Sequence, residues 1–448
     1  MRRLFGTFGV RGIVGRDMTP RVAFDLGLAL ATYLGNSGKV AVGRDNRTSS
    51  EMLEHAVSSG LTAGGCDVLS LGLVPTPVLS FGTRHFSCDA GVMITASHNP
   101  PEYNGVKFWC RDGAGFSRDM ERDVEKILDE GGKLVRWDEV GSISTADAIE
   151  PYVHAILRRV GRVKKEWKVV VDCANGVGAL VTPRLLREMG CKVVTLNGQL
   201  DGTFPGRKLE PVPENLTELS ETVLACRADL GIAHDGDADR TIAVNERGEV
   251  MMGDRVFAIA ALHHLSGKKD ARIITTVATS SVMDDVARML GASIVRTRVG
   301  EPEIIGEYRK AGGGVGGEEN GGVFFFDWSM CREGIHTALT FVEALDRSGG
   351  PVSALDAKLP RYYQVKRRVE CPEERKAKVL ESLPGRFSGQ KLDLTDGVKV
   401  IFEDGWLLVR PSGTEPIFRC FAEARTKERA EELAAAGMRE LQSLISGP

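Results

Sequence analysis

Apolar residues along this chain fall first into a helical rhythm, then into short continuous runs, and the alternation repeats. Thr19-Pro20 predicts a helix start, an N-cap followed by proline in the first turn, with Val22, Leu26, Leu30, Tyr33 and Leu34 on one face. Gly35 closes it, and Lys39-Val-Ala-Val-Gly43 reads as a strand running into the charged loop Arg44-Asp45-Asn46-Arg47. A second helix, from about Ser50 to Ala63, hands over at Gly64-Gly65 to a strand that reaches Gly72 and ends before Pro75. The same helix–glycine–strand passage recurs around Gly190 (Leu185 to Leu196) and Gly291 (Val286 to Thr297). These two are each preceded by a strand, Lys168–Asp172 and Arg272–Thr276. A spacing of roughly 100 to 125 residues is far too long for a solenoid repeat. It predicts three related α/β domains in tandem, although ordinary βαβ units also resemble one another by chance.

From about Arg361 the pattern changes. Tyr362 to Val369 reads as a strand and Glu373 to Leu383 as a helix. Val398–Phe402 and Trp406–Val409 form a hairpin around Asp404-Gly405, Ile417 to Ala424 another strand, and Lys427 to Ile445 a long amphipathic helix. This is an α+β domain unlike the first three. The expected domains are 1–150, 151–250, 251–360 and 361–448.

Composition adds limits. At 448 residues the chain is too long for a single core. Lys+Arg number 58 against 61 Asp+Glu, a net charge of -3, which gives no support for nucleic acid or an anionic membrane as a main partner. A local basic pocket for phosphate remains compatible. The nine cysteines are scattered without a CxxC pair, so neither a disulfide framework nor a zinc site is indicated. Arg11 cuts the N-terminal apolar run short of a signal peptide, and no run approaches a membrane span. A cytoplasmic protein is expected.

Four stretches carry candidate chemistry. In the first, the apolar run Val92-Met-Ile94 breaks into Ser97-His98-Asn99-Pro100-Pro101, with Lys107 beyond. The prolines must end the strand, so Ser97 lies in its exit loop, where open α/β sheets bind ligands. Ser97 is placed as a nucleophile with His98 and Lys107 as proton handlers or charge partners; the alternative is a turn whose serine only caps backbone groups. In the second, Asp235-Gly-Asp237-Ala-Asp239-Arg240 follows the run Leu230 to Ala233. An extended backbone would put its three carboxylates on one side, where their repulsion calls for an ion, and hard oxygen ligands suit Mg²⁺. An EF-hand fails because Arg240 stands where glycine is required. A DxD phosphatase with an aspartate nucleophile, or a solvated acidic turn, would also match the spacing.

The third stretch, Gly312-Gly-Gly-Val-Gly-Gly317-Glu318-Glu319-Asn320-Gly321-Gly322, satisfies G-x-G-x-x-G. No strand precedes it, and an acidic turn follows where a helix should begin, which rejects the dinucleotide reading. Glu319 and Asn320 suit hydrogen bonding to sugar hydroxyls, against the alternative of a surface loop. In the fourth, Arg410-Pro-Ser412-Gly413-Thr414-Glu415-Pro416, Arg410 can take a phosphate in a bidentate fork while Ser412, Thr414 and amides near Gly413 add donors. A plain β-turn is equally compatible.

In this order, one per domain and with Phe8-Gly-Val-Arg11-Gly12 near the start, the four motifs resemble the α-D-phosphohexomutase family over essentially the whole chain. The resemblance implies three related α/β domains and a smaller TATA-binding-protein-like fourth domain around a central cleft. It implies that Ser97 is a phosphoserine exchanging phosphate with the sugar, and that Asp235, Asp237 and Asp239 hold Mg²⁺ together with it. Arg11, His98, Lys107 and Arg240 would surround the transferring group, with Lys107 as proton carrier. Glu319, with Asn320, would contact the sugar, and Arg410, Ser412, Gly413 and Thr414 the other phosphate. The implied reaction interconverts hexose 6-phosphate and hexose 1-phosphate through a hexose 1,6-bisphosphate, which also serves as activator. The substrate is a small phosphosugar, and the protein a monomer or homodimer.

Two departures bear on the sugar. Val299-Gly300 is followed by Glu301 where many members carry histidine, and the loop Glu-Glu-Asn-Gly-Gly replaces the Glu-Met-Ser-Gly-His or Glu-Gln-Ser-Gly-His of bacterial members. Such a loop is similar to the archaeal branch assigned to phosphoglucosamine mutase, ahead of phosphomannomutase/phosphoglucomutase. A metal-dependent sugar phosphatase is the more remote alternative; a non-catalytic sugar-phosphate sensor would not need Ser97.

Overall fold

The structure, a computed structural model, describes residues 9–412 and 415–447. Phe8 of the N-terminal motif and Gly413 and Thr414 of the last one lie outside the described residues. By its internal contacts the chain divides into two compact units. One comprises the chain up to Ser266 together with Gly314–Ala357, and the other Gly267–Gly313 with the chain from Lys358 onward. Residues of the expected third domain therefore contribute to both.

In the first unit a six-stranded sheet runs in the order Val10–Ile13, Tyr103–Cys110, Ala90–Ile94, Lys39–Arg44, Asp67–Leu73, Ile143–Thr145. The last four are mutually parallel, while Tyr103–Cys110 runs antiparallel to Ala90–Ile94 and to Val10–Ile13. On one face of the sheet Val40, Val42, Val92, Ile94 and Phe108 are buried against Leu26, Leu30, Leu53, Val57 and Leu61 of the helices Pro20–Tyr33 and Ser50–Ala63. The first of these helices starts as expected, with the Thr19 hydroxyl accepting from the Val22 N–H and Pro20 in the first turn.

A second sheet follows the order Val250–Met251, Thr241–Asn245, Leu230–His234, Lys168–Asp172, Lys192–Leu196. The hairpin Val315–Gly317 with Val323–Phe325 completes the strands of this unit. The second unit contains the parallel pair Arg272–Thr276 and Ser293–Thr297, and an antiparallel sheet ordered Tyr363–Glu370, Ile417–Ala424, Gly405–Pro411, Val398–Ile401, Lys391–Asp393. Gly190 and Gly291 end their helices in the left-handed region, φ 103° and 61°, so the two later handovers close as the sequence predicts.

Lys107 lies in the strand Tyr103–Cys110, opposite Met93. Two local expectations change. The aspartate motif is a turn rather than an extended segment, because the strand stops at His234 and Ala238 takes φ 57°. Three residues of the glycine-rich run, Val315–Gly317, are themselves a strand, since Gly316 and Gly317 pair with Phe324 and Val323 and leave Glu318–Gly322 as the hairpin turn. Lys391–Asp393 is a further strand that three residues were too few to signal.

The helices Pro20–Tyr33 and Ser50–Ala63 cross backbone to backbone through Gly27 and Gly60. A methyl on Gly60 would stand 2.1 Å from the Phe24 carbonyl oxygen, whereas one on Gly306, in the helix Glu301–Ala311, would meet nothing within 4 Å. Alanine in an open helix position is worth up to about 1 kcal/mol over glycine. At the crossing, overpacking should instead cost about 1–3 kcal/mol. Urea unfolding should therefore show Gly60→Ala destabilised and Gly306→Ala unchanged or stabilised; equal effects would contradict this packing.

Candidate active site

Ser97 occupies the turn beyond Ile94, fully buried and in the left-handed region at φ 52°. Its N–H donates to Thr95 Oγ1 at 2.8 Å, and its Oγ donates to Asp235 Oδ2 at 2.8 Å with His98 Nδ1 at 3.3 Å. Glu210 Oε2 lies 3.2 Å from His98 Nε2, which favours the tautomer with the proton on Nε2 and leaves Nδ1 unprotonated beside Oγ, whose single proton is directed to Asp235. The two loops touch at Gly236, where any side chain would begin 2.6 Å from the Ser97 carbonyl oxygen. The sequence places the serine and the acidic motif 138 positions apart; the fold makes them neighbours.

Asp235, Asp237 and Asp239 are all buried, with ligand oxygens within 4.8 Å of one another. Asp235 has both oxygens engaged, Oδ1 accepting from the Arg240 N–H at 3.3 Å, whereas Asp237 and Asp239 each have one. Asp235 accepts from Ser97, Asp237 Oδ2 accepts from Lys107 Nζ at 3.0 Å and Thr76 Oγ1 at 2.8 Å, and Asp239 Oδ2 accepts from Arg332 at 2.6 Å. Asp237 Oδ1 and Asp239 Oδ1 are buried without a hydrogen-bond partner. Buried acceptors are rarely left so, and two such oxygens in a cluster of hard ligands fit a divalent cation.

Electrostatics divide the three. Burial, then Asp239 and Asp237, push Asp235 well above the ordinary carboxylate value. Burial also acts to raise Asp237, but Lys107, Thr76 and Arg11 outweigh it and hold that carboxyl below its usual range. Around them stand Arg11, whose NH1 donates to Asn99 Oδ1 at 3.2 Å, and Arg240, whose NH1 donates to Glu210 at 3.0 Å. Burial lowers the Arg11 guanidinium to about 10, still cationic at neutral pH. Burial works against the charge of Arg240 too, but Glu210 and Asp235 keep its pKa raised. His98 is neutral, because burial and the charges of Arg240 and Arg11 depress it far below the usual imidazole value.

The hairpin turn Glu318–Gly322 reaches this cluster through Arg332, which donates to Asp239 and, at 3.4 Å, to Glu318 Oε2. Glu318 is buried and raised by that burial, with Arg332, Arg240 and Asp239 among the charges it senses. Glu319 and Asn320 are half-buried, and Asn320 Oδ1 accepts from the Gly322 N–H at 3.1 Å. In the other unit Arg410 Nε sits 2.9 Å from Asp396 Oδ2. The Ser412 hydroxyl accepts from the Glu415 N–H there, and Lys376 Nζ donates to the Ser412 and Glu415 carbonyls at 2.8 and 2.7 Å.

Family models for phosphoglucomutase/phosphomannomutase match in succession: alpha/beta/alpha domain I over residues 2–134, domain II over 150–248, domain III over 252–363 and the C-terminal domain over 367–439. The chain belongs to this family. It is an α-D-phosphohexomutase, an intramolecular phosphotransferase, as the motifs suggest. A phosphoglucomutase/phosphomannomutase of Thermococcus kodakarensis is 45% identical with both chains covered completely. A Methanopyrus kandleri protein named "Probable phosphoglucosamine mutase" is 47% identical over 97% of this chain and 96% of its own. The crystal structure of a phosphoglucomutase/phosphomannomutase family protein from Burkholderia thailandensis superposes with a TM-score of 0.90 at 29% identity, covering 100% of this chain and 98% of that one. No helix among the described residues of this phosphohexomutase is long and apolar enough to cross a membrane.

Sequence reasoning passed over Arg47, Thr76, Glu210 and Arg332, each of which touches a motif residue from a distant part of the chain. For Glu318 a signal was present, because it is the first glutamate after the glycines, as in the bacterial loops. For the three-aspartate cluster, as a candidate cation site, the expectation is a reciprocal one. Asp235→Asn removes one of three repelling charges while keeping an acceptor for Ser97, so without metal it should be at least as stable as the wild type. A cation at a hundred times its Kd should stabilise the wild type by about 2.7 kcal/mol. Thermal unfolding with and without Mg²⁺ should show that gain lost in Asp235→Asn; an equal gain would contradict the assignment.

Proposed function

We propose that this mutase carries the phosphoryl group on Ser97 and moves it between O1 and O6 of a hexose through a 1,6-bisphosphate, with Mg²⁺ held by Asp235, Asp237 and Asp239. The observation that carries the reading is the Ser97 hydroxyl 2.8 Å from Asp235, beside two buried aspartate oxygens without hydrogen bonds and within a ring of Lys107, Arg11 and Arg240. A phosphoserine brings about two negative charges, and a divalent cation bound there would supply charge that offsets the phosphoryl oxygens. Lys107, Arg11 and Arg240 contribute fixed positive charge on the same group.

In the first half-reaction a sugar hydroxyl oxygen bonds to phosphorus, the bond from phosphorus to Ser97 Oγ breaks, and the hydroxyl proton ends on Oγ. In the second, Oγ bonds to the other phosphorus of the bisphosphate, the bond from that phosphorus to the sugar oxygen breaks, and the proton returns to that oxygen. We assign that proton's path to His98, neutral and 3.3 Å from Oγ, while Lys107, bound to Asp237, supplies charge. This divides the work differently from the sequence expectation, in which Lys107 carries the proton. One nucleophile serving two ends of a sugar requires the bisphosphate to reorient, and Arg410 and Ser412, with Gly413 and Thr414, are proposed to grip whichever phosphate is not reacting. A metal-dependent phosphatase would not need that grip.

For the sugar we propose glucosamine phosphate, with glucose and mannose phosphates accepted. Several relatives carry the phosphoglucosamine mutase name, while a Thermococcus kodakarensis relative 45% identical to this chain carries the other, which supports a loose preference. Glu318 is the better placed of the two glutamates for ring hydroxyls, through its link by Arg332 to Asp239. Asn320 is proposed to face the C2 amine, its Oδ1 retaining one lone pair beyond the bond from Gly322. A hydrogen bond to a charged group contributes about 1.5–3 kcal/mol, roughly ten- to a hundredfold. kcat/KM should therefore fall from glucosamine 1-phosphate to glucose and mannose 1-phosphates by no more than that, without net phosphate release. A clear lead for mannose 1-phosphate would overturn the ranking.

A further inference from the structure

Ser97 needs a reason to sit where it does. A non-glycine residue at φ 52° is held against its own preference, and such a conformation persists only when its surroundings over-determine it. The surroundings here centre on Arg47, a fully buried side chain whose role no catalytic assignment covers. All five of its guanidinium N–H donors are engaged. Nε donates to Asp45 Oδ2 at 3.0 Å, NH1 to the Pro100 and Tyr103 carbonyls at 2.6 and 3.0 Å, and NH2 to the Ser97 and Asn99 carbonyls at 2.9 and 2.7 Å. Four carbonyls of one exit loop thus converge on a single cation.

Asp45 completes the frame. Besides Arg47 it accepts from Ser50 Oγ at 2.6 Å and from Thr95 Oγ1 at 2.7 Å, and Thr95 Oγ1 in turn accepts the Ser97 N–H. Ser97 is therefore fixed on both sides, its N–H through Thr95 and its carbonyl through Arg47, with Asp45 joining the two. Across a planar peptide, fixing the Ser97 carbonyl also turns the His98 N–H to the opposite side.

We propose that Arg47, with Asp45 and Thr95, is a positioning frame for phosphoryl transfer, holding Ser97 in the conformation that aims Oγ at the aspartate cluster. The inference rests on the reading of Ser97 as phosphoryl carrier. A frame of this kind acts on the transfer step and not on sugar binding, since neither Arg47 nor Thr95 is placed among the sugar- or phosphate-binding groups. Lysine at position 47 keeps the charge but has three donors for five acceptors, and valine at 95 keeps the shape while losing both bonds.

The test uses full-length protein phosphorylated with glucose 1,6-bisphosphate and followed by intact mass. Single-turnover loss of that phosphate to a hexose monophosphate is measured alongside steady-state kinetics. Arg47→Lys should lower kcat and the single-turnover rate together by about a hundredfold, and Thr95→Val by about tenfold, both with KM within a factor of about two. Should Arg47→Lys fail to fold by circular dichroism, Thr95→Val decides alone. Folded variants that transfer at the wild-type rate, or that change only KM, would overturn the frame. Wild-type protein that never takes up phosphate would instead refute the carrier reading, and the frame with it.

Discussion

Three carboxylates within 4.8 Å of one another inside a buried turn are the constraint to which the surrounding structure answers. Like charges so placed repel strongly at low dielectric, and at Asp235 burial, then repulsion from Asp239 and Asp237, drives the pKa well up. The protein answers with cations from separate segments: Lys107 from a strand of the first sheet, Arg240 at the end of the acidic turn, Arg332 from beyond the hairpin turn Glu318–Gly322. Each takes one carboxylate oxygen or stands near one, and two oxygens still lack a hydrogen bond. A site arranged this way has room in its charge balance for one divalent cation.

A second regularity concerns how the exit loops are held. Where a strand ends, its last carbonyls lose their ladder partners. In this chain a basic side chain takes several of them at once, and an acid neutralises it. Arg47 with Asp45 serves the Ser97 loop. Arg207, 2.5 Å from Asp172 Oδ2, donates to the His234 carbonyl before the acidic turn. Arg296 with Asp284 holds the carbonyls of Thr276, Thr279 and Ser280, and Lys376 with Glu373 those of Ser412 and Glu415. Loops that must present rigid groups are thereby made part of the core. A charge buried with fully satisfied donors is costly to disrupt, which is the property a rigid site needs.

This distinguishes what the chain's sequence made legible from what it concealed. Helix and strand runs such as Ser50–Ala63 and Ile417–Ala424 were readable because periodicity is local. The four motifs were readable because their odd composition interrupts that periodicity. The acidic motif was misjudged as extended because residue spacing alone does not distinguish a strand from a turn once Ala238 adopts positive φ. Arg47, Thr76 and Arg332 were invisible for another reason. Each acts on a partner roughly 50 to 160 positions away, and an arginine in a charged loop looks the same whether it faces water or four carbonyls.

The proposed reaction depends on Ser97 carrying the phosphoryl group beside the aspartate cluster. Intact-mass analysis of wild-type protein and of Ser97→Ala, each incubated with glucose 1,6-bisphosphate and Mg²⁺ and then with excess hexose monophosphate, tests it most directly. One phosphate is expected on the wild type, removed by the monophosphate, and none on a folded Ser97→Ala that is inactive. A phosphate that persists in Ser97→Ala, or near wild-type mutase turnover by that variant, would contradict it.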